Sequence, residues 1–196
     1  QQLGAERVDE YLRRFGFGET TGLGFPAEED GIMKPLEAWS GVDIGSIPIG
    51  QGISVTALQM LAAYNAIAND GVYVTPRLVA AVDQGSGQVP TEASDGRRVV
   101  TSDTARAMEA MLVRVVADGT GTPAAVPGYD VAGKTGTGWI PQPGGADATD
   151  GYLGADGRRH YQASFVGFVA GADLSILVTV SDPRTMIYGS EVAAPV

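Results

Sequence analysis

Between Val131 and Thr137 the chain reads Val-Ala-Gly-Lys-Thr-Gly-Thr, with Gly138 directly behind. One ammonium, two hydroxyls and three glycines fall within this short run, so several donors sit beside backbone that a ligand can approach closely. Such a set suits an anionic group, and the segment is expected to form one wall of an active site.

Two structural readings of this run compete. Gly128 to Thr135 satisfies the phosphate-loop pattern G-x-x-x-x-G-K-[ST] at every fixed position. That pattern works when a strand feeds the loop and a helix leaves it, because the helix N-terminus and successive N–H groups hold the phosphates. Upstream, Gly119, Gly121, Pro123 and Pro127 carry turn chemistry instead of a strand. Downstream, Gly136, Gly138 and Pro141 would each weaken a helix, by roughly 1 kcal/mol per glycine and about 3 for an interior proline. A nucleotide loop is therefore disfavoured, and magnesium-dependent ATP binding is not expected. The other reading makes Val131 to Thr137 a strand, with Gly136 leaving its edge open to a substrate backbone. Taken alone, Lys134, Thr135 and Gly136 fit a surface strand with a solvated lysine better than a site.

Other chemistries find little support. A Ser-His-Asp triad would have to use His160, the only histidine, and no G-x-S-x-G elbow exists. The absence of cysteine excludes disulfides, thiol catalysis and Cys-ligated zinc, and no metal or cofactor is expected. A net charge of −10, from 13 Lys and Arg against 23 Asp and Glu, argues against a nucleic-acid or anionic-membrane surface. With 196 residues and 44% hydrophobic content the chain can build the core of one domain or most of one.

The elements that must position the strand follow from periodicity. Gly4 to Phe15 predicts a helix with Ala5, Val8, Leu12 and Phe15 inward and Gly16 as its left-handed cap. Residues 16–34 form an excursion without helical period, whose acidic run Glu28, Glu29 and Asp30 reads as a solvated face. Thr56-x-x-Gln59 predicts a capping box for a helix over Ala57 to Asn69, with Leu58, Leu61, Ala62, Asn65 and Ala68 on one side. Val72 to Val82, interrupted by Pro76, reads as an edge strand, and Asp83 to Arg98 as a surface excursion. Thr101 or Ser102 should cap a helix through about Ala117, with Met108 and Met111 among the core residues. A loop from Pro141 to Arg159 separates the Lys-Thr-Gly strand from two further strands, His160 to Ala170 and Leu174 to Val180, in an antiparallel meander. The fold class is α+β, an antiparallel sheet flanked by helices.

Five segments in order then carry a resemblance. They are Phe15-Gly16-Phe17-Gly18-Glu19-Thr20-Thr21-Gly22, Ile49-Gly50-Gln51-Gly52-Ile53-Ser54-Val55-Thr56-Ala57-Leu58-Gln59, Tyr64-Asn65-Ala66-Ile67-Ala68-Asn69-Asp70-Gly71, Ala132-Gly133-Lys134-Thr135-Gly136-Thr137 and Phe165-Val166-Gly167-Phe168. Together they resemble the transpeptidase domain of class B penicillin-binding proteins, septal cell-division type, over nearly the whole chain. The resemblance implies the fold shared with serine β-lactamases and acyl transfer through a serine ester. It also implies peptidoglycan stem peptides as substrates and β-lactams as acylating ligands. Cell-division membrane proteins are implied partners, on the extracytoplasmic face of the bacterial membrane.

The family's Ser-x-x-Lys and Ser-x-Asn motifs are not in this chain. Its only lysines, Lys34 and Lys134, have Gly31 and Val131 three positions before them. Its only asparagines, Asn65 and Asn69, have Ala63 and Ile67 two positions before them. The resemblance thus implies that residues 1–196 are the C-terminal portion of the domain, with the N-terminal remainder and a membrane anchor outside it. By the same resemblance, Lys134 supplies fixed positive charge to the substrate carboxylate and the proton relay, and Thr135 and Thr137 hydrogen-bond that carboxylate. Gly136 keeps the strand open, and the Thr137 N–H forms half of the oxyanion hole. Trp139 and Tyr188 are either groove or packing residues.

Overall fold

The structure is a computed structural model describing residues 3–142 and 151–196. The middle of the loop expected over Pro141 to Arg159 lies outside those residues. The chain divides into two compact units, Gln1–Pro48 with Gly52–Arg106, and Ile49–Gln51 with Ala107–Val196.

The first unit opens with α1 (Ala5–Arg14), whose polar side carries i,i+3 and i,i+4 ion pairs from Arg7 to Glu10 and Arg13 to Asp9. Gly16 terminates it in the left-handed region, as predicted. The following excursion contributes β1 (Ile32–Met33) and the short α2 (Asp43–Ser46), and β1 pairs antiparallel with β2 (Ile53–Ser54). Its acidic run is solvated only in part, which corrects the expectation for Glu28. That carboxylate accepts from both the N–H and the hydroxyl of Thr21, and the Thr21 hydroxyl foremost holds its pKa below the usual value.

The Thr56 capping box forms at the head of α3 (Ala57–Ala68). The buried stripe, however, is Gln59, Ala62, Ala63 and Ala66, while Asn65 and Ala68 are exposed. A helix apolar on nearly every side gives no clear face by period, and three alanines with one hydrogen-bonded amide, Gln59, take the buried side in place of the leucines. Val72 to Val82 is two strands instead of one. β3 (Val72–Tyr73) pairs with β6 (Arg97–Arg98), and β4 (Ala81–Asp83) pairs with β5 (Gln88–Pro90), so the expected surface excursion supplies both partners. Ala62, Ala66, Tyr73 and Val99 form the core here, with Phe15 against them.

Helix α4 (Ser102–Asp118) starts in the first unit and continues in the second. Thr101 caps it, its hydroxyl accepting from the Thr104 N–H at 3.2 Å. Ala105, Leu112 and Val116 are buried, whereas Met111 is 54% exposed and Met108 half-buried, which removes Met111 from the expected core.

The second unit is a three-stranded antiparallel meander, as predicted. β7 (Val131–Trp139), β8 (Tyr161–Val169) and β9 (Ser175–Ser181) lie in the order β7-β8-β9, so β7 is an edge. Phe165, Val131 and Val178 form a core on one sheet face with Val116 of α4 and with Ala193 and Ala194, which follow α5 (Gly189–Val192). The α+β fold class stands.

Candidate active site

The register of β7 decides which of its groups are free. It pairs with β8 without a bulge from Val131 opposite Val169 to Trp139 opposite Tyr161. Just beyond the two ends, the Ala170 N–H donates to the Asp130 carbonyl and the Ile140 N–H to the His160 carbonyl. Opposed pairs in an antiparallel ladder alternate between bonded and non-bonded. The even-numbered residues of β7 therefore bond to β8, and the odd-numbered residues turn their N–H and C=O outward. Thr135 and Thr137 present main-chain groups at the open edge, and alternation puts their side chains on one face together with Trp139.

Lys134 leaves from the opposite face, is exposed, and curls back so that its ammonium donates to the Thr135 carbonyl at 2.7 Å. Each threonine hydroxyl is held by a neighbour. Thr135 Oγ1 lies 3.0 Å from Thr120 Oγ1, and Thr137 Oγ1 accepts from the Gly189 N–H at 3.1 Å. An N–H can only donate, so the Thr137 hydroxyl keeps its own hydrogen for another acceptor. Gly136 serves the interior as well as the edge. A Cβ there would lie 2.5 Å from Ser164 Oγ, and one on Gly189 would lie 2.3 Å from the Ser164 carbonyl oxygen and 2.4 Å from that of Gly136. Two glycines thus let the start of α5 rest directly on the sheet and reach Thr137.

One ammonium, two oriented hydroxyls and an outward N–H on a single strand edge can bind a carboxylate and an adjacent carbonyl oxygen. Two apolar hollows of about 410 and 430 Å³ lie elsewhere, against α1 and over the Phe165 face, and neither includes Lys134 to Thr137. The candidate site is an edge.

The competing sequence readings fail on geometry. Gly133-Lys134-Thr135 lies inside a strand that continues to Trp139, where a phosphate loop needs the first turns of a helix, so the pattern is fortuitous. Both ring nitrogens of His160 face carboxylates, Nδ1 at 2.9 Å from Asp182 and Nε2 at 3.3 Å from Asp156, which leaves no nitrogen for a serine. The Arg158 main-chain N–H, foremost, holds the Asp156 pKa below its usual value. Trp139 is 42% exposed, with the Tyr152 ring centroid 5.5 Å away and the Arg159 guanidinium 4.3 Å above its ring. Tyr188, 57% exposed, precedes Gly189. Among the described residues no cluster of three His, Asp or Glu side chains is arranged to hold a metal ion.

Thr120 is a contributor the sequence does not single out, and Gly189 enters there only as part of the Tyr188-Gly189 loop beside the expected cleft. In sequence Gly119-Thr120-Gly121 carries only turn chemistry, and the register that connects Thr120 and Gly189 to the two threonines is invisible there.

The family model for the penicillin binding protein transpeptidase domain matches residues 1–196. The chain belongs to this transpeptidase family. Penicillin-binding protein PbpB of Mycobacterium tuberculosis is 45% identical over 152 residues, covering 74% of this chain and 22% of PbpB. Stage V sporulation protein D of Bacillus subtilis is 35% identical over 203 residues, covering 100% and 30%. Peptidoglycan D,D-transpeptidase FtsI of Escherichia coli is 32% identical over 197 residues, covering 96% and 29%. The crystal structure of penicillin binding protein 3 from Mycobacterium tuberculosis complexed with aztreonam superimposes with a TM-score of 0.83 at 37% identity, over 100% of this chain and 44% of that one. This transpeptidase chain thus spans less than a third of each of these curated relatives. Family and fold agree with the expectations from sequence.

Proposed function

We propose that residues 1–196 are the C-terminal portion of the transpeptidase domain of a serine D,D-transpeptidase that cross-links peptidoglycan stem peptides and is acylated by β-lactams. The observation that carries this is the open edge of β7, where the Lys134 ammonium, the Thr135 and Thr137 hydroxyls and the outward Thr137 N–H converge. The nucleophile and its lysine come from a Ser-x-x-Lys segment, and a further polar group from Ser-x-Asn, both in the N-terminal remainder of the domain.

In the reaction, the serine oxygen attacks the carbonyl between two terminal D-alanines. An ester forms, and the last D-alanine leaves with the proton the serine gave up. An amine of a neighbouring stem then attacks the ester, forming the cross-linking amide and returning the serine hydroxyl. Lys134, Thr135 and Thr137 hold the terminal carboxylate through charge-assisted bonds, roughly twice as strong as neutral ones. The Thr137 N–H supplies half of the oxyanion hole, and donors of that kind contribute about 3 to 4 kcal/mol in comparable hydrolases. Gly136 keeps side-chain bulk off the edge beside the incoming backbone.

The relatives named peptidoglycan D,D-transpeptidase and stage V sporulation protein support a place in peptidoglycan cross-linking; action at division, with cell-division membrane proteins as partners, is part of the same proposal. Action on the extracytoplasmic face of the membrane belongs to that proposal as well. Among the described residues no helix is long and apolar enough to cross a membrane, and the anchor is assigned to the part preceding this portion. The test is covalent labelling by a fluorescent penicillin, read by intact mass. The protein carrying Ser-x-x-Lys should gain one adduct, and residues 1–196 alone none. A parent that stays unlabelled would favour a non-catalytic binding module of the same fold.

A further inference from the structure

We infer that Thr120 is a positioning residue for the carboxylate site, setting the direction in which the Thr135 hydroxyl donates; the inference rests on the transpeptidase reading above. The connection between α4 and β7 is built to place this one side chain. The Gly119 and Gly121 N–H groups both donate to the Val115 carbonyl at 3.0 Å, wrapping the chain tightly over the last turn of the helix. A Cβ would lie 2.8 Å from that oxygen on Gly119, which requires glycine there, and 3.1 Å from it on Gly121, a tight fit on the other side of Thr120. The turn is fixed again downstream, where the Thr122 hydroxyl donates to the Gly119 carbonyl at 2.7 Å and the Ala124 N–H to the Gly121 carbonyl at 2.8 Å. Thr120, between the two glycines, reaches across to Thr135 at 3.0 Å.

A hydroxyl has one hydrogen to give. If Thr135 donates to Thr120, it has nothing to offer a carboxylate. If Thr120 donates instead, the Thr135 hydrogen is free for the open edge, and an anion there selects the chain Thr120 O–H to Thr135 O–H to carboxylate. Each bond in such a chain polarises the next. Thr137 shows the same arrangement with a donor that cannot reverse, the Gly189 main-chain N–H. Both hydroxyls are thus supplied from behind, one by a fixed group and one by a rotatable group that the bound anion orients.

The test uses the longer protein that carries Ser-x-x-Lys, with a penicillin and its methyl ester as paired probes. Thr120→Val removes the hydroxyl at nearly constant shape. It should raise the penicillin concentration for half-maximal acylation about fivefold, the fold equivalent of one neutral hydrogen bond. The limiting acylation rate should change less than twofold, and half-saturation by the ester should not move. Thr120→Ser should behave as wild type. A wild-type response of Thr120→Val to the acid, or an equal loss for acid and ester, would overturn the inference while leaving the transpeptidase reading in place. If Thr120→Val loosens the fold, acid and ester slow alike, so failure to restore the acid preference with Thr120→Ser would still count against it. Absence of any acylation in wild type would remove the reading beneath and the inference with it.

Discussion

The largest fully buried side chain of the first unit is an amide, Gln59, 1% exposed, whereas the second unit is centred on the phenyl ring of Phe165 at 3%. Gln59 Nε2 donates to the carbonyls of Glu19 and Asp30 at 2.7 and 2.9 Å, and its Oε1 accepts from the Thr56 N–H at 2.8 Å. One side chain therefore caps α3 and ties down both sides of a long excursion that has almost no ladder of its own. Phe165 instead joins sheet, α4 and the residues after α5 by apolar contact, while the backbone of β7 to β9 satisfies itself. Directional bonds can hold loops with little sheet. A self-satisfied sheet can leave one edge unpaired and still hold its side chains in place, which is what a preorganised site needs.

That contrast is broken most severely by Gln59→Leu, which keeps apolar volume but orphans two carbonyls and one N–H. A loss of about 3 kcal/mol or more in urea unfolding is expected, at roughly 1 to 3 kcal/mol for each unsatisfied group. A loss below about 1 kcal/mol would mean the amide is replaceable and the contrast superficial. In the second unit the corresponding weak point is steric. Gly189→Ala puts a methyl within 2.4 Å of two carbonyl oxygens and should cost about 2 kcal/mol, the middle of the range for overpacking. It should also weaken penicillin labelling through displaced Thr137, and retention of full stability and labelling would contradict the close seat of α5.

The smallest expected effect sharpens the polar character of the first unit. Asp43 is held down to a pKa of about 2, first by the Ser40 N–H, then by the Ser40 hydroxyl and Lys34. A carboxylate with a depressed pKa contributes stability that is fully present above its unfolded pKa, near 4, and is lost as pH falls through about 2. The unfolding midpoint should therefore fall between pH 4 and 2 in wild type and change less over that window in Asp43→Asn. Superimposable acid limbs would remove Asp43 from the account.

Much of this was legible before any coordinates. Glycine and proline placement disfavours a helix after Lys134. The meander and the Thr56 capping box follow from alternation and a four-residue pattern, all local signals, while the Lys-Thr-Gly strand also needed the family resemblance. The buried stripe of α3 was not legible, because its residues are apolar on most sides and the decisive partners of Gln59 lie 29 and 40 residues away. The pairing of β3 with β6 failed for the same reason, as two-residue strands leave no period to read. In the site, residue types alone favoured a solvated surface lysine, and the roles expected of Lys134, Thr135 and Thr137 came from the family resemblance. Their orientation came only with the register, and the contacts of Thr120 and Gly189 became visible only through it.

The most direct test of the account compares acylation of the longer protein by a penicillin and by its methyl ester, in wild type and Lys134→Ala. The ratio of second-order rate constants cancels any part Lys134 plays in proton transfer common to both probes. Wild type should favour the acid by about thirtyfold, the equivalent of a hydrogen bond to a charged group, and the variant should lose most of that preference. An undiminished preference in Lys134→Ala, or none in wild type, would contradict the claim that the open edge of β7 receives the carboxylate.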